Sequence, residues 1–422
     1  MHPFLRKPYV LPGLRGLLVV CLVLALLYAV LARGKALDVR HRPLDFAESF
    51  DFGGATLIAY DDYAQRRLRA AHPELADVVI ANLAPFRLEP PADCPRSASG
   101  GYRSGVVLTH DLQDSPYTMR ALGEYFQRTC FVVYGLLLPG HGTRAGDLLR
   151  SGWQDWFAAQ RFATRELGRE VETLYLAGHG VGATLAMLEA ATNADVDGLV
   201  LFAPRLDLQA PPWQAVAGSA LGWLFAPARW AEAVPATTPY RDASRPWSMF
   251  AQINGLVAST QAALPSTAAE IPVFSVLSLD DTTVDPQAVL AYMAARTHPQ
   301  SHTYVYSRQQ VSAAAAMTLR LTAFPEYRRL SLSHLGLMLP GSDTTFGRDR
   351  TSRECGHYFS ISPANYATCM AGESDFLGET TPGILAEGVV ERIAYNPHFS
   401  ELVGVLDSFL APVGRVIPRV PR

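Results

Sequence analysis

The chain has 422 residues, of which 49% are apolar and 18% charged, with a formal net charge of −3. Those proportions exclude an intrinsically disordered protein and describe a globular one with a large core. A slightly negative balance without any basic block excludes nucleic-acid binding on electrostatic grounds. At roughly 150 residues per domain the length fits two or three units, or one α/β domain with insertions.

Gly16 to Ala32 carries no charge and is bounded by Arg15 and Arg33. These 17 residues fall slightly short of the roughly 20 that span hydrocarbon as a helix. Leu11 to Leu14 extend them, with Arg15 snorkelling. We therefore expect a basic segment over 1–15 and a transmembrane signal anchor over 16–33. A cleaved signal peptide is the alternative, since Arg6, Lys7 and Arg15 form a basic n-region and Gly34-Lys35-Ala36 offers small residues for cleavage. Positive charges are nearly balanced across the segment, so orientation rests on the cysteines. Setting Cys21 aside leaves Cys94, Cys130, Cys355 and Cys369, an even set without metal spacing. Of three possible pairings, Cys94–Cys130 and Cys355–Cys369 each close a modest loop. Disulfides imply an oxidising compartment outside the cytoplasm; four reduced, buried thiols are the alternative.

Residues 34–95 read as a juxtamembrane linker and N-terminal extension. Within them Ala59 to Ala71 has the pattern of a charged helix, and Val78 to Leu88 has strand character before Pro90, Pro91 and Pro95 interrupt it. Gly105 to Thr109 is a buried strand followed by His110-Asp111-Leu112. Ser115 reads as an N-cap with Pro116 at the first helical position. Phe131 to Leu138 is a further strand, and Trp153 to Leu167 a helix. Leu174 to Met187 then has the form of a strand, a tight turn and a helix. Its centre, Gly178-His179-Gly180-Val181-Gly182, is the frame of the G-x-S-x-G nucleophile elbow with Gly180 where the serine belongs. In isolation a plain tight turn explains it equally well. Gly198 to Phe202 is the next strand. Alternating buried strands and helices predict an α/β, mostly parallel, doubly wound sheet.

The run VVLTHDLQDSPYTMRALGEYF, then LLLPGHGTRAGDL, then the elbow, resembles the α/β-hydrolase superfamily. It looks closest to bacterial serine hydrolases related to monoglyceride lipases and the serine aminopeptidase (S33) group. The resemblance covers about Gly105 to Pro204 and Ile271 to Leu339. It implies an α/β-hydrolase core in two parts, 96–204 and 270–341, a helical cap over 205–269 and a C-terminal extension over 342–422. The cap stretch holds Trp213, Trp223, Trp230 and Trp247; in such relatives it covers the active site and contacts acyl chains, and ordinary helical packing is the alternative. Ile271 to Leu279 resumes a strand. The triad acid is expected in the loop that follows, where Asp281 matches better than Asp280; a helix N-cap is its bland reading. Ser333-His334-Leu335-Gly336 matches the triad histidine loop, in the chain order nucleophile, acid, base. Residues 342–396 form a tail insertion with Cys355 and Cys369. Phe399 to Leu410 is an amphipathic helix with Leu402, Val405, Phe409 and Leu410 on one face.

Carried over by position, the resemblance makes Asp281 the acid and His334 the base, with the backbone N–H groups of Leu112 and Val181 holding the oxyanion. Gly180 supplies no attacking oxygen. The resemblance also implies glycine after His110, and this chain has Asp111. A carboxylate about 5 Å from a developing oxyanion repels it by roughly 3 kcal/mol at an effective dielectric of 20. Three readings follow. The first is a membrane-anchored pseudoenzyme, descended from an acyl-ester or lipid hydrolase, that retains a lipid or acyl-ester-like ligand. The second is an active esterase or lysophospholipase-like enzyme using water or Asp111 with His334 and Asp281, or an engineered serine-to-glycine form of an active hydrolase. The third is an envelope scaffold. The bacterial resemblance puts the anchor in the inner membrane and the soluble body in the periplasm. No metal cluster or nucleotide loop is visible, and no cofactor is expected.

Overall fold

The apolar runs around Val106, Val133, Leu176 and Val200 lack the alternation of a half-exposed strand, as expected of strands covered on both faces. They form the centre of an eight-stranded sheet in the computed structural model, which describes residues 12–32, 37–208, 226–264, 271–312, 314–324, 326 and 328–413. The strands are β1 (Phe86–Leu88), β2 (Tyr102–Thr109), β3 (Phe131–Leu136), β4 (Val171–His179), β5 (Gly198–Phe202), β8 (Val273–Ser278), β9 (His302–Ser307) and β10 (Met317–Leu321). A separate antiparallel pair, β6 (Trp230–Glu232) and β7 (Arg245–Pro246), lies between β5 and β8 in the chain. The sheet order is β1-β3-β2-β4-β5-β8-β9-β10. Only β1 runs antiparallel to its neighbour. The order reverses around β2, and the ligand crevice of such sheets opens at the carboxyl ends of strands beside such a reversal.

Helices Arg120–Arg128, Trp153–Gly168, Val181–Thr192 and Pro286–Ala294 connect the strands. The last helix, Phe399–Leu410, buries Leu402, Leu406, Phe409 and Leu410. The Phe409 ring lies 5.4 Å from Phe274 of β8 and 6.1 Å from Tyr175 of β4. The helix therefore closes one face of the sheet, as its apolar spacing predicted, with Leu406 more buried than Val405.

Several expectations need correction. Val78 to Leu88 is not one strand. Asp77–Leu83 is a helix and only Phe86–Leu88 is extended. The β-branched residues Val78 and Val79 yield to tertiary packing: Ile80 and Leu83, three apart on one helical face, are buried with Ala64, Leu68 and Leu137. Ser115 precedes Pro116–Met119, a 3-10 turn, and does not cap it; its hydroxyl donates to the Tyr240 carbonyl at 2.9 Å. The N-cap before Pro286 is Asp285, which accepts from the Gln287 N–H, and Asp281 is left for another use.

Pro12–Ala32 is helical over 21 residues, and Leu17, Val19, Leu22 and Leu26 on it are exposed. Among the described residues, however, no helix is long and apolar enough to cross a membrane. The uncharged part, Gly16 to Ala32, rises about 26 Å at ~1.5 Å per residue, against ~30 Å of hydrocarbon. The expected transmembrane anchor is thus not carried by the described fold. Trp213, Trp223 and the 34–36 cleavage site lie outside the described residues.

Both expected disulfides form, Cys94–Cys130 and Cys355–Cys369. With partners 36 and 14 positions apart, loop-closure entropy gives about 4 and about 3 kcal/mol of stabilisation.

Candidate functional site

β4 ends at His179, and the helix Val181–Thr192 starts one residue later. Gly180, between them, has φ +53° and ψ −115°, a conformation that glycine adopts without a Cβ penalty. Its N–H donates to the Phe202 carbonyl at 2.9 Å, which ties the turn to β5. The flanking glycines permit close approach. A Cβ on Gly182 would lie 2.2 Å from the Thr109 carbonyl oxygen, and one on Gly178 would lie 2.4 Å from the Gly182 carbonyl carbon. The helix therefore sits directly against the end of β2, and this brings Asp111 to the turn.

Asp111 is buried, and its Oδ1 accepts two backbone N–H bonds, from Leu112 and from Val181, both at 2.7 Å. A Cβ added to Gly180 would fall 2.1 Å from both Cγ and Oδ1 of Asp111. The carboxylate thus fills the space of a side chain at residue 180. Arg205 Nε approaches Oδ1 at 4.0 Å. Arg205 itself is held by its Nη1 bond to the Thr283 carbonyl at 3.2 Å and by its backbone bonds to the Thr184 hydroxyl. Burial pushes the Asp111 carboxyl up. Arg205, then His179, His334 and the Val181 N–H, outweigh burial and hold it at about 2. Neighbouring His110 is kept neutral, chiefly by burial, at about 4; its Nε2 accepts from the Leu138 N–H at 3.1 Å.

Asp281 stands on the loop after β8. Its Oδ1 accepts from the Thr283 and Val284 N–H groups at 2.8 and 3.3 Å and lies 3.1 Å from His334 Nδ1. Both side chains are nearly inaccessible, 4% for His334 and 2% for Asp281. Burial raises the Asp281 carboxyl, and the imidazole with the two N–H groups more than offsets it, so it lies below its ordinary value. Ser278 Oγ donates to the Leu332 carbonyl at 2.6 Å, which fastens the acid loop to the histidine loop. His179 Nε2 lies 3.2 Å from the His334 carbonyl oxygen and joins the elbow to that loop. Gly180, Asp111, Leu112, Val181, His334 and Asp281, scattered over more than 220 positions of sequence, are so brought together through a few direct contacts. Asp280 is set apart, accepting from the Arg308 N–H at 2.8 Å.

Glu379 also reaches this corner. Asp281, His334 and Glu379 each bring one potential metal-ligand atom within 4.8 Å of the others. Arg392 lies 2.9 Å from Glu379 Oε1 and neutralises it, which weakens the case for a cation there.

A cavity of about 300 Å³ opens before Asp111 and His334. Arg205, Arg241, Arg245 and Arg392 line it, as do Asp114, Glu232 and Glu354. Most of these charges are paired: Arg241 with Glu354 at 2.9 Å and with Asp114 at 3.3 Å, Arg245 with Glu232 at 2.5 Å. Val234, Met249, Phe250 and Ile253 supply an apolar portion. Of the tryptophans in the expected cap, the two among the described residues, Trp230 and Trp247, do not line this cavity. Trp247 packs on Phe250, with ring centroids 5.8 Å apart, and Trp230 is buried against His41. The N-terminal and C-terminal extensions both contribute: Arg40 bonds Asp242 at the rim at 3.4 Å, and Glu354, His357 and Arg392 come from the tail. Sequence reasoning missed Arg205, Arg241 and Glu354. Only Arg205 had a local signal, its place just after β5 at the carboxyl edge of the sheet.

Residues 101–310 match the family model described as serine aminopeptidase, S33. The chain is 30% identical over 106 residues to a thermostable monoacylglycerol lipase of Bacillus sp. (strain H-257). That stretch is 25% of this chain and 42% of the relative, so the match spans less than half of the relative's length. Among solved structures, similar ones include a metagenome-derived lipolytic enzyme from a study of LipS and LipT, at 22% identity, 53% of this chain, 86% of that chain and a TM-score of 0.41. The monoacylglycerol lipase of Paleococcus ferrophilus is similar at 17% identity, 53% of this chain, 88% of that chain and a TM-score of 0.41.

Proposed function

We propose that this chain, an α/β-hydrolase-fold protein related to lipase- and esterase-type hydrolases over its S33-like segment, has given up serine-hydrolase turnover and keeps the old site for binding an acyl ligand. In a working triad the serine attacks, the histidine takes its proton, the aspartate orients the histidine, and two N–H groups hold the oxyanion. Here Gly180 stands at the nucleophile position, His334 and Asp281 at base and acid, and Leu112 and Val181 at the oxyanion donors. The observation that carries the reading is the Asp111 carboxylate, bonded to both donor N–H groups and lying where a side chain at 180 would sit. That carboxylate already takes both N–H bonds and its charge disfavours a second negative charge on a tetrahedral intermediate. Loss of the serine alone costs about 10⁶ in turnover in a subtilisin precedent.

The fit between residues 111 and 180 also favours natural divergence over a single laboratory change, because a serine at 180 would displace the Asp111 carboxylate from its two N–H bonds. The open cavity beside the tail residues favours a ligand over a mere scaffold. The purified protein is expected to resist fluorophosphonate labelling and to leave short acyl esters intact. Ester turnover abolished by His334→Ala would overturn the reading. It would instead support the second one, a water-based hydrolase, whose motive is the intact His334–Asp281 pair at 3.1 Å.

The support for a single-pass anchor is the uncharged run Gly16 to Ala32 and the exposed Leu17, Val19, Leu22 and Leu26, although the helix Pro12–Ala32 is not by itself long and apolar enough to cross a membrane. The two disulfides support an oxidising location for the body, the periplasm of a bacterium. Extraction by alkaline carbonate would contradict the anchor.

A further inference from the structure

At the far edge of the sheet, away from the elbow, three guanidinium groups share one crevice. Arg320 lies on the edge strand β10, Arg329 on the loop after it and Arg348 in the tail; with His398 they line a cavity of about 430 Å³. His398 is buried and immediately precedes the last helix. Its two ring nitrogens both face guanidinium donors. Nδ1 lies 3.0 Å from Arg320 Nη2 and 3.2 Å from Arg320 Nε, and Nε2 lies 3.1 Å from Arg329 Nη2. A neutral imidazole carries one N–H and accepts at one nitrogen only. If Nδ1 holds the proton it donates to Glu401 Oε1, 3.3 Å away, and accepts from Arg329, but then opposes Arg320. If Nε2 holds it, Arg329 is opposed. A second proton opposes both. No protonation state lets His398 accept from both arginines, whose other bonds run from Arg320 Nη2 to Glu401 at 3.1 Å and from Arg329 Nε to the Thr322 carbonyl at 3.0 Å.

The charge is unbalanced as well. Glu401 is the one ion-paired acid of the cluster among the described residues, at 3.1 Å from Arg320. Glu326 acts on Arg329 from farther off. Burial chiefly, with Arg320 and Arg348 after it and against Tyr395 and Glu326, depresses the Arg329 guanidinium below its ordinary value. Arg348 has an exposed side chain, and its guanidinium has no acceptor among the described residues. Leu377, Pro397 and Phe324 give the crevice an apolar rim.

We infer that this crevice is an anion site that takes a phosphate oxyanion, bridged by Arg320, Arg329 and Arg348 and presented on a small phosphate ester or on a lipid headgroup. Guanidinium forks match tetrahedral oxyanions, and such an anion supplies the acceptors that His398 cannot. The cavity has room for the organic part of a phosphate ester beside the anion.

The test uses the full chain. Inorganic phosphate and glycerol phosphate are titrated calorimetrically in one arm. In the other, the protein is mixed with phosphatidylcholine vesicles with and without a quarter of phosphatidylglycerol. Each arm compares the native chain with Arg348→Ala, which removes an exposed group with no partner and so spares folding, and with Arg329→Gln. Saturable binding of glycerol phosphate, weakened about tenfold or more by Arg348→Ala, supports the site and a soluble ligand. Phosphatidylglycerol-dependent binding alone, lost in the same variant, supports a lipid headgroup. Absence of both, or binding indifferent to both substitutions, overturns the proposal.

Discussion

At the scale of single residues, Asp111 and Gly180 act as a pair. Asp111 has a folded-state value near 2 against an ordinary value of 3.8. A carboxylate depressed on folding adds stability above its unfolded value and loses it as pH falls through the folded one. The native chain should therefore lose about 2 kcal/mol between about pH 4 and pH 2 that Asp111→Asn does not lose, and denaturant titrations of the two at stepped pH measure the difference. Gly180→Ala adds a Cβ at 2.1 Å from the Asp111 carboxyl carbon, on a backbone with φ +53°. It should cost about 2–4 kcal/mol from overpacking and left-handed strain. Shortening Asp111 to glycine in the same chain should return the overpacking part, a coupling that thermal melts of the four proteins would read.

At the scale of elements, the last helix and the tail hold the site from outside. Phe409→Ala should cost about 3–5 kcal/mol, since its ring is buried between β4 and β8. Replacing Cys355 and Cys369 by serine should remove about 3 kcal/mol and loosen the segment that delivers Glu354 and Arg392 to the cavity. Hydrogen exchange of that segment should then rise ahead of the core sheet. The elements also show what the sequence could tell. The buried strands and the strand–turn–helix at Gly180 were legible because period and glycine spacing are local. His334 and Asp281 were singled out by the chain order that the resemblance supplies, and the fold brings them to 3.1 Å of each other. Val78 to Leu88 misled because β-branched propensity is weaker than the pull of Ile80 and Leu83 into a core with Leu68. Arg241 and Glu354, 113 positions apart, pair without any local trace.

At the scale of the whole molecule, two extensions pack on an α/β-hydrolase core and line its crevice with ion pairs. Asp111 was legible as an odd residue beside the oxyanion position. That it reaches across to the Val181 N–H was not, because this depends on how closely Gly182 lets the helix approach β2. A serine at 180 would force the Asp111 carboxylate out of its present place and off the Leu112 and Val181 N–H groups. The direct test is hydrolysis of short acyl esters by the native chain, Gly180→Ser, Asp111→Gly and the double variant. We expect the first three to be inactive and the double variant to gain at least about 10³-fold over them, with fluorophosphonate labelling at residue 180. A folded Gly180→Ser protein as active as the double variant, or a folded double variant without labelling or turnover, would contradict it.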